Sequence, residues 1–89
     1  FIGRGVFVNV GTQLGHDTTI RNYCSLMPSV NLSGGDVLEE ECYVGVGAKI
    51  LQNITIGTAS VVGANSLVLR NVPPGVTAFG NPAIPRKLT

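Results

Sequence analysis

The six residues Leu14-Gly15-His16-Asp17-Thr18-Thr19 hold the only histidine of the chain and set the frame in which the rest is read. Counting in sixes from Leu14 in both directions meets an aliphatic residue at every step: Ile2, Val8, Leu14, Ile20, Leu26, Leu32, Leu38, Val44, Ile50, Ile56, Val62 and Val68. Twelve steps without an insertion make this an internal repeat, not a series of independent strands.

The fourth residue after each aliphatic forms a second column, running Val6, Thr12, Thr18, Cys24, Val30, Asp36, Cys42, Ala48, Ile54, Ser60, Ser66, Val72. Ten of the twelve are small residues or the β-branched Val and Thr; charged Asp36 and the larger Ile54 depart. Alternate residues of a strand share a face, so the small residue and the aliphatic two places on both point inward before the chain turns. Three places after the aliphatic stand Gly5, Gly11, Asp17, Gly35, Gly47, Asn53, Asn65 and Asn71, residues that tolerate φ > 0. Six residues are therefore one strand and one corner, and three such sides close a triangular coil. The expected fold is all-β: a parallel β-helix of about four coils over residues 1–73, stacked at ~4.8 Å, and an extended tail over 74–89. The prolines and glycines of Pro73-Pro74-Gly75 and Gly80-Asn81-Pro82 exclude a helix in that tail.

Eighty-nine residues make one small domain whose core is marginal alone, so an oligomer or a neighbouring domain is expected. The chain opens on Phe1 with the repeat already in frame, which suggests a piece of a longer protein. No run approaches the ~18 apolar residues of a membrane span, and no charged-then-apolar leader opens the chain. A soluble, cytoplasmic protein is expected. The net charge is +1 and the basic residues are scattered, which leaves no stripe for a nucleic-acid backbone.

Eighteen-residue coils stack Cys24 over Cys42 in the inward column, where reduced core filler is expected instead of a disulfide or a nucleophile. No CxxC or Cys/His pairing suggests a metal site. One outward side carries Phe7, Ser25, Tyr43 and Val61 in one column and Asn9, Met27, Gly45 and Gly63 in another. An apolar flank of this length suggests a subunit interface or packing against a neighbouring segment.

His16 occupies an outward corner, as a catalytic base or as an exposed turn residue. Its column continues through Gly34, Gln52 and Arg70. The pair Gly34-Gly35 leaves no side chain beside the imidazole and exposes backbone N–H groups to an oxygen that gains charge. Arg70 lies three coil rises, ~14 Å, along the axis, with Arg86 and Lys87 in the tail. That separation suits a long ligand with a reactive end at His16 and phosphates at the basic end, the shape of coenzyme A. Asp17 is either an acceptor for the imidazole N–H or a plain turn residue.

The run Gly15-His16-Asp17, the stretch Asn31-Leu32-Ser33-Gly34-Gly35, the ending Val72-Pro73-Pro74-Gly75 and the run Gly80-Asn81-Pro82-Ala83 resemble the C-terminal domain of bacterial sugar acetyltransferases. The similarity is greatest to the sialic acid O-acetyltransferase family, which includes N-acetyltransferases acting on nucleotide-linked amino sugars. The resemblance implies a left-handed β-helix, a homotrimer, and acetyl-CoA lying between neighbouring β-helices. It implies His16 as general base, Asp17 as its orienting carboxylate and Gly34 as backbone donor to the thioester carbonyl. It further implies that Gly80, Asn81, Pro82 and Ala83 help hold the cofactor and that Asn9 lies near the acceptor; the edge itself adds Gly35, Gln52, Arg70, Arg86 and Lys87 as candidate cofactor contacts and Ser25 as a candidate acceptor contact. Some relatives carry a second histidine at the place of Ser25, and the basic residue often found after Pro-Ala is here Ile84. Relatives usually begin with a Rossmann-like domain that holds the sugar nucleotide.

The expected function is acetyl transfer from acetyl-CoA to a hydroxyl or amine of a small-molecule sugar by direct general-base catalysis, without metal. An acyltransferase for serine or an antibiotic, and a non-catalytic assembly module, are the alternatives. Antibiotic-modifying relatives usually carry a long loop projecting from a coil, which the unbroken frame does not provide.

Overall fold

A computed structural model describes residues 1–86 of the chain. Its strands are β1 Phe7–Val8, β2 Gln13–Leu14, β3 Thr19–Ile20, β4 Ser25–Leu26, β5 Asn31–Leu32, β6 Val37–Leu38, β7 Tyr43–Val44, β8 Lys49–Ile50, β9 Thr55–Ile56, β10 Val61–Val62, β11 Leu67–Val68, β12 Thr77–Gly80 and β13 Ala83–Arg86. The first eleven are two residues long and parallel to their neighbours, and among the described residues there is no helix. The first face of the prism runs β1-β4-β7-β10-β12-β13, the second β2-β5-β8-β11, and the third β3-β6-β9. Single bridges from Ile2 to Ile20 and from Ile56 to Val72 extend the third face at both ends.

The eighteen-residue step is observed directly, as Phe7 pairs with Ser25, Gln13 with Asn31 and Thr19 with Val37. Each coil hands its N–H groups to carbonyls of the next: Phe7 N–H bonds the Cys24 carbonyl at 2.9 Å and Ser25 N–H the Cys42 carbonyl at 2.8 Å. Both inward columns are buried from Thr18 onward, apart from sites at the chain's first coil. Val8 and Leu14 are each 38% exposed because no coil lies beneath them, whereas Leu26 is fully buried. At the opposite end β12 stacks parallel on β10 and β13 folds back antiparallel, closing the prism with buried Ala78. The winding is that of a left-handed β-helix.

Corner conformation follows the frame more than the side chain. Glycine and Asx corners at Gly5, Gly11, Asp17, Gly35, Gly47, Asn53 and Asn65 have positive φ, and so do Tyr23, Ser29, Glu41 and Ala59. The geometry of the coil imposes αL even where a Cβ resists it.

The frame departs from eighteen earlier than its aliphatics suggest. Val72 pairs with Ile56 and Thr77 with Val61, steps of sixteen residues. Two residues are therefore missing from the last corner between the second and third faces. Val72 takes the aliphatic place over Ile56 and not the small place over Ile54, and Asn71 does not adopt positive φ. Instead the Asn71 side-chain oxygen accepts the Thr55 N–H at 2.8 Å.

Cys24 and Cys42 are unpaired and buried, their thiols donating to the Glu39 and Gly57 carbonyls at 2.9 and 3.0 Å. The adjoining Cys24 thiol and burial push the Cys42 thiol up, away from the nucleophilic thiolate.

Candidate functional site

His16 sits on the edge where the second face turns into the third. The edge is pulled in tightly: Thr18 Oγ1 donates to the Gly15 carbonyl at 2.8 Å, and the Gly15 N–H donates to the Leu32 carbonyl at 2.8 Å. Any Cβ on Gly15 would press into the Ser33 carbonyl of the adjoining coil. The imidazole itself is exposed.

The next coil brings Gly34 and Gly35 against His16, as the repeat predicts, but it commits their amides. Gly35 N–H donates to the His16 carbonyl at 2.7 Å, so it is not open to a ligand. Gly34 N–H has only a long contact, 3.3 Å, to Asp36 Oδ2. Of the pair, Gly34 is the weakly held donor. Its φ of 139° and a Cβ position 3.2 Å from the His16 carbonyl oxygen both require glycine.

Asp17 has φ 59° and fills the αL corner. Among the described residues neither its carboxylate nor the His16 imidazole takes part in a hydrogen bond. The turn role of Asp17 is thus visible in the free chain, and the imidazole-orienting contact is not made there.

Gln52 is exposed on the same edge, flanked by exposed Leu51. Leu67 and Val68 keep the eighteen-residue register on Lys49 and Ile50, so Leu69 and Arg70 remain on the His16 edge despite the shortening that follows. There the tail meets it. Leu69, Arg70, Pro82, Ala83, Ile84 and Pro85 line a groove of about 300 Å³. Gly80 and Asn81 lie at the hairpin turn beside it, with Gly80 N–H on Ser66 Oγ at 3.1 Å. Arg86 places its guanidinium 5.6 Å from the centre of the Phe79 ring. Lys87 lies outside the described residues.

Ser25 stands on the first face and Asn9 at its exit corner, one side of the triangle before His16. Within a single chain neither comes beside the imidazole, because the whole of β2 separates the two edges. A residue that pattern reading singled out only as an irregularity belongs to the edge: Asp36, fully buried, accepts Ile54 N–H at 2.8 Å as well as the Gly34 contact. Burial raises its pKa from the ordinary 3.8, partly opposed by those backbone donors. The signal was its charge in an otherwise uncharged inward column. Among the described residues no group of three His, Cys, Asp or Glu side chains is gathered as a metal site would need.

Three faces and eighteen-residue coils define a hexapeptide-repeat left-handed β-helix, with exposed His16 on one outer edge. Along its length the chain is similar to acetyltransferases. No family model matches it. Serine acetyltransferase of Escherichia coli (strain K12) is 42% identical over 92 residues, taking in 92% of this chain and 34% of that protein. GDP-perosamine N-acetyl transferase from Caulobacter crescentus, solved as a variant in complex with CoA and GDP-perosamine, superposes with a TM-score of 0.94 at 35% identity, over 96% of this chain and 40% of that one. Serine acetyltransferase of Neisseria gonorrhoeae gives 0.90 at 31% identity, over 99% and 38%. The chain spans about a third of the length of the curated relatives it matches.

Proposed function

We propose that the chain is the acyl-transfer domain of an acetyl-CoA-dependent acetyltransferase whose acceptor is the amine or hydroxyl of a sugar. The observation that carries this reading is the single edge that holds exposed His16, the weakly bonded Gly34 N–H and, at its far end, Arg70 beside the Pro82–Pro85 groove. A base and an oxyanion donor one coil apart, with a cation about three coil rises away, match a thioester on a long arm that ends in phosphates. Exposed Leu51 and Leu69 flank the intervening path with apolar surface suited to that arm.

His16, neutral, takes the proton of the acceptor as it attacks the thioester carbon, and returns it to the departing thiolate. Gly34 N–H faces the carbonyl oxygen as it gains charge. Asp17, next to His16 in the chain, is the carboxylate that orients the imidazole. Arg70 pairs with phosphate. No acyl-enzyme is formed, since both thiols are buried in the core.

Copies associate as a trimer through the first face, where Phe7, Tyr43 and Val61 are 62%, 43% and 36% exposed. A neighbouring copy would also supply what one chain keeps apart, bringing the Asn9 and Ser25 side of one β-helix toward the His16 edge of the next. The protein works in the cytoplasm, where acetyl-CoA is made available.

Serine is the second reading, favoured by the 42% identity to the Escherichia coli enzyme. The higher TM-score, 0.94 against 0.90, belongs to the sugar N-acetyltransferase. Thiol release from acetyl-CoA is to be measured with L-serine and with nucleotide-linked amino sugars. Turnover with serine alone would overturn the sugar acceptor, and turnover with neither would overturn acetyl transfer.

A further inference from the structure

We propose that Asp36 is a positioning residue for acyl transfer, a buried carboxylate that restrains the Gly34 amide in the resting site and yields it to the reacting oxygen. The inference deepens the acetyltransferase reading and rests on it. Asp36 is fully buried and among the described residues it has no cation beside it. A charged side chain in such a place has to be satisfied by hydrogen bonds, and two adjoining coils supply them. Oδ1 takes Ile54 N–H at 2.8 Å, and Oδ2 takes Gly34 N–H at 3.3 Å.

The Ile54 bond runs between coils, not within a corner. At four corners the N–H of the inward residue bonds the carbonyl three places back, in Thr12 to Asn9, Ala48 to Gly45, Ser60 to Gly57 and Ser66 to Gly63. At Ile54 the donor crosses a coil to Asp36 instead. The side chain therefore ties the turn that carries Gly34 to the turn that carries Gln52. The Gly34 carbonyl is fixed from the same side, accepting Asn53 N–H at 2.8 Å. Gly34 itself, with φ 139°, has no side chain to restrain its peptide plane. Asp36 supplies that restraint, and because the Gly34 contact is long, the N–H is released to a better acceptor outside. The strong bond anchors the carboxylate, and the weak one restrains the donor until that acceptor arrives.

The column shows that a carboxylate is not needed for packing. Val30 and Cys42, the neighbours in sequence order, fill equivalent inward places with no charge. Asp36→Val tests loss of the restraint with a residue the column already tolerates, and Asp36→Asn keeps an oxygen for Ile54 N–H. In the intact protein, amide exchange at Gly34 and Ile54 is measured by NMR, together with kcat and the Kd for acetyl-CoA. The expected result is faster exchange at both amides in Asp36→Val and at Gly34 alone in Asp36→Asn. Transfer should fall at least about 10-fold in kcat for Asp36→Val, since small misplacements of a reacting group cost this much or more, while the Kd moves less than about 2-fold. A folded Asp36→Val protein with wild-type kcat overturns the positioning role. Unchanged exchange at Gly34 overturns the hold on the amide, and that readout stands even if the wild type transfers no acetyl group, an outcome that would sink the acetyltransferase reading itself.

Discussion

Gly15 and Gly75 both serve corners of the coil, yet their replacement by alanine tests different forces. Gly15 has ordinary φ and no room, since a Cβ would meet the Ser33 carbonyl of the next coil. Gly75 has φ 69° and nothing within 4 Å of its Cβ position. We expect Gly15→Ala to cost about 1–3 kcal/mol through overpacking and Gly75→Ala about 1–2 kcal/mol through the αL penalty. Gly75→Asn should recover most of its loss because asparagine tolerates αL, and Gly15→Asn should recover none; chemical denaturation separates the two.

Asp36 gives a second test at this scale. Burial raises its carboxyl above the ordinary value of 3.8, so as pH falls the folded protein takes up this proton before the unfolded chain does. Stability from this group is therefore greatest below the unfolded pKa and is lost as pH rises through the folded one. Melting of the wild type relative to Asp36→Asn should rise as pH falls from neutral toward 4. A pH-independent difference would contradict the direction of the shift.

The strand–corner unit shows how much was legible from pattern. Aliphatics at every sixth place identified the inward columns from Ile20 to Val68, because a side chain that points in along a two-residue strand has to be apolar and branched. The His16, Gly34, Gln52, Arg70 edge followed from the same arithmetic. Corners were half legible: Tyr23, Ser29, Glu41 and Ala59 take positive φ with no local preference for it, since stacking on neighbouring coils overrides propensity. Ala59→Gly should accordingly stabilise the protein by about 0.5–1 kcal/mol, the αL penalty offset by the entropy of glycine. The two-residue shortening before Val72 was hidden because Val72 satisfies either inward place. The commitment of Gly35 N–H to the His16 carbonyl was equally hidden, being a matter of hydrogen-bond direction that no residue type encodes. Core depth also varies by coil. Leu32→Ala should cost about 2–5 kcal/mol as a buried cavity, and Leu14→Ala, at the open end, clearly less in the same denaturation experiment.

At the scale of the molecule, a solenoid held by neighbour contacts has two problems: the faces of its end coils and an apolar first face. The β12–β13 hairpin answers the first problem at one end only. Association through Phe7, Tyr43 and Val61 answers the second, and sedimentation should find a trimer that Tyr43→Glu or Val61→Asp dissociates. A monodisperse wild-type monomer would remove the interface and with it the route by which Asn9 and Ser25 approach a neighbour's His16. The central claim is that His16 is the base of an acetyl transfer along its edge. It is tested most directly by thiol release from acetyl-CoA, in the presence of an accepted amine or hydroxyl, by wild type and His16→Ala. A fall in kcat of about 100-fold or more with acetyl-CoA binding retained is the expected result, and full turnover by a folded His16→Ala protein would contradict it.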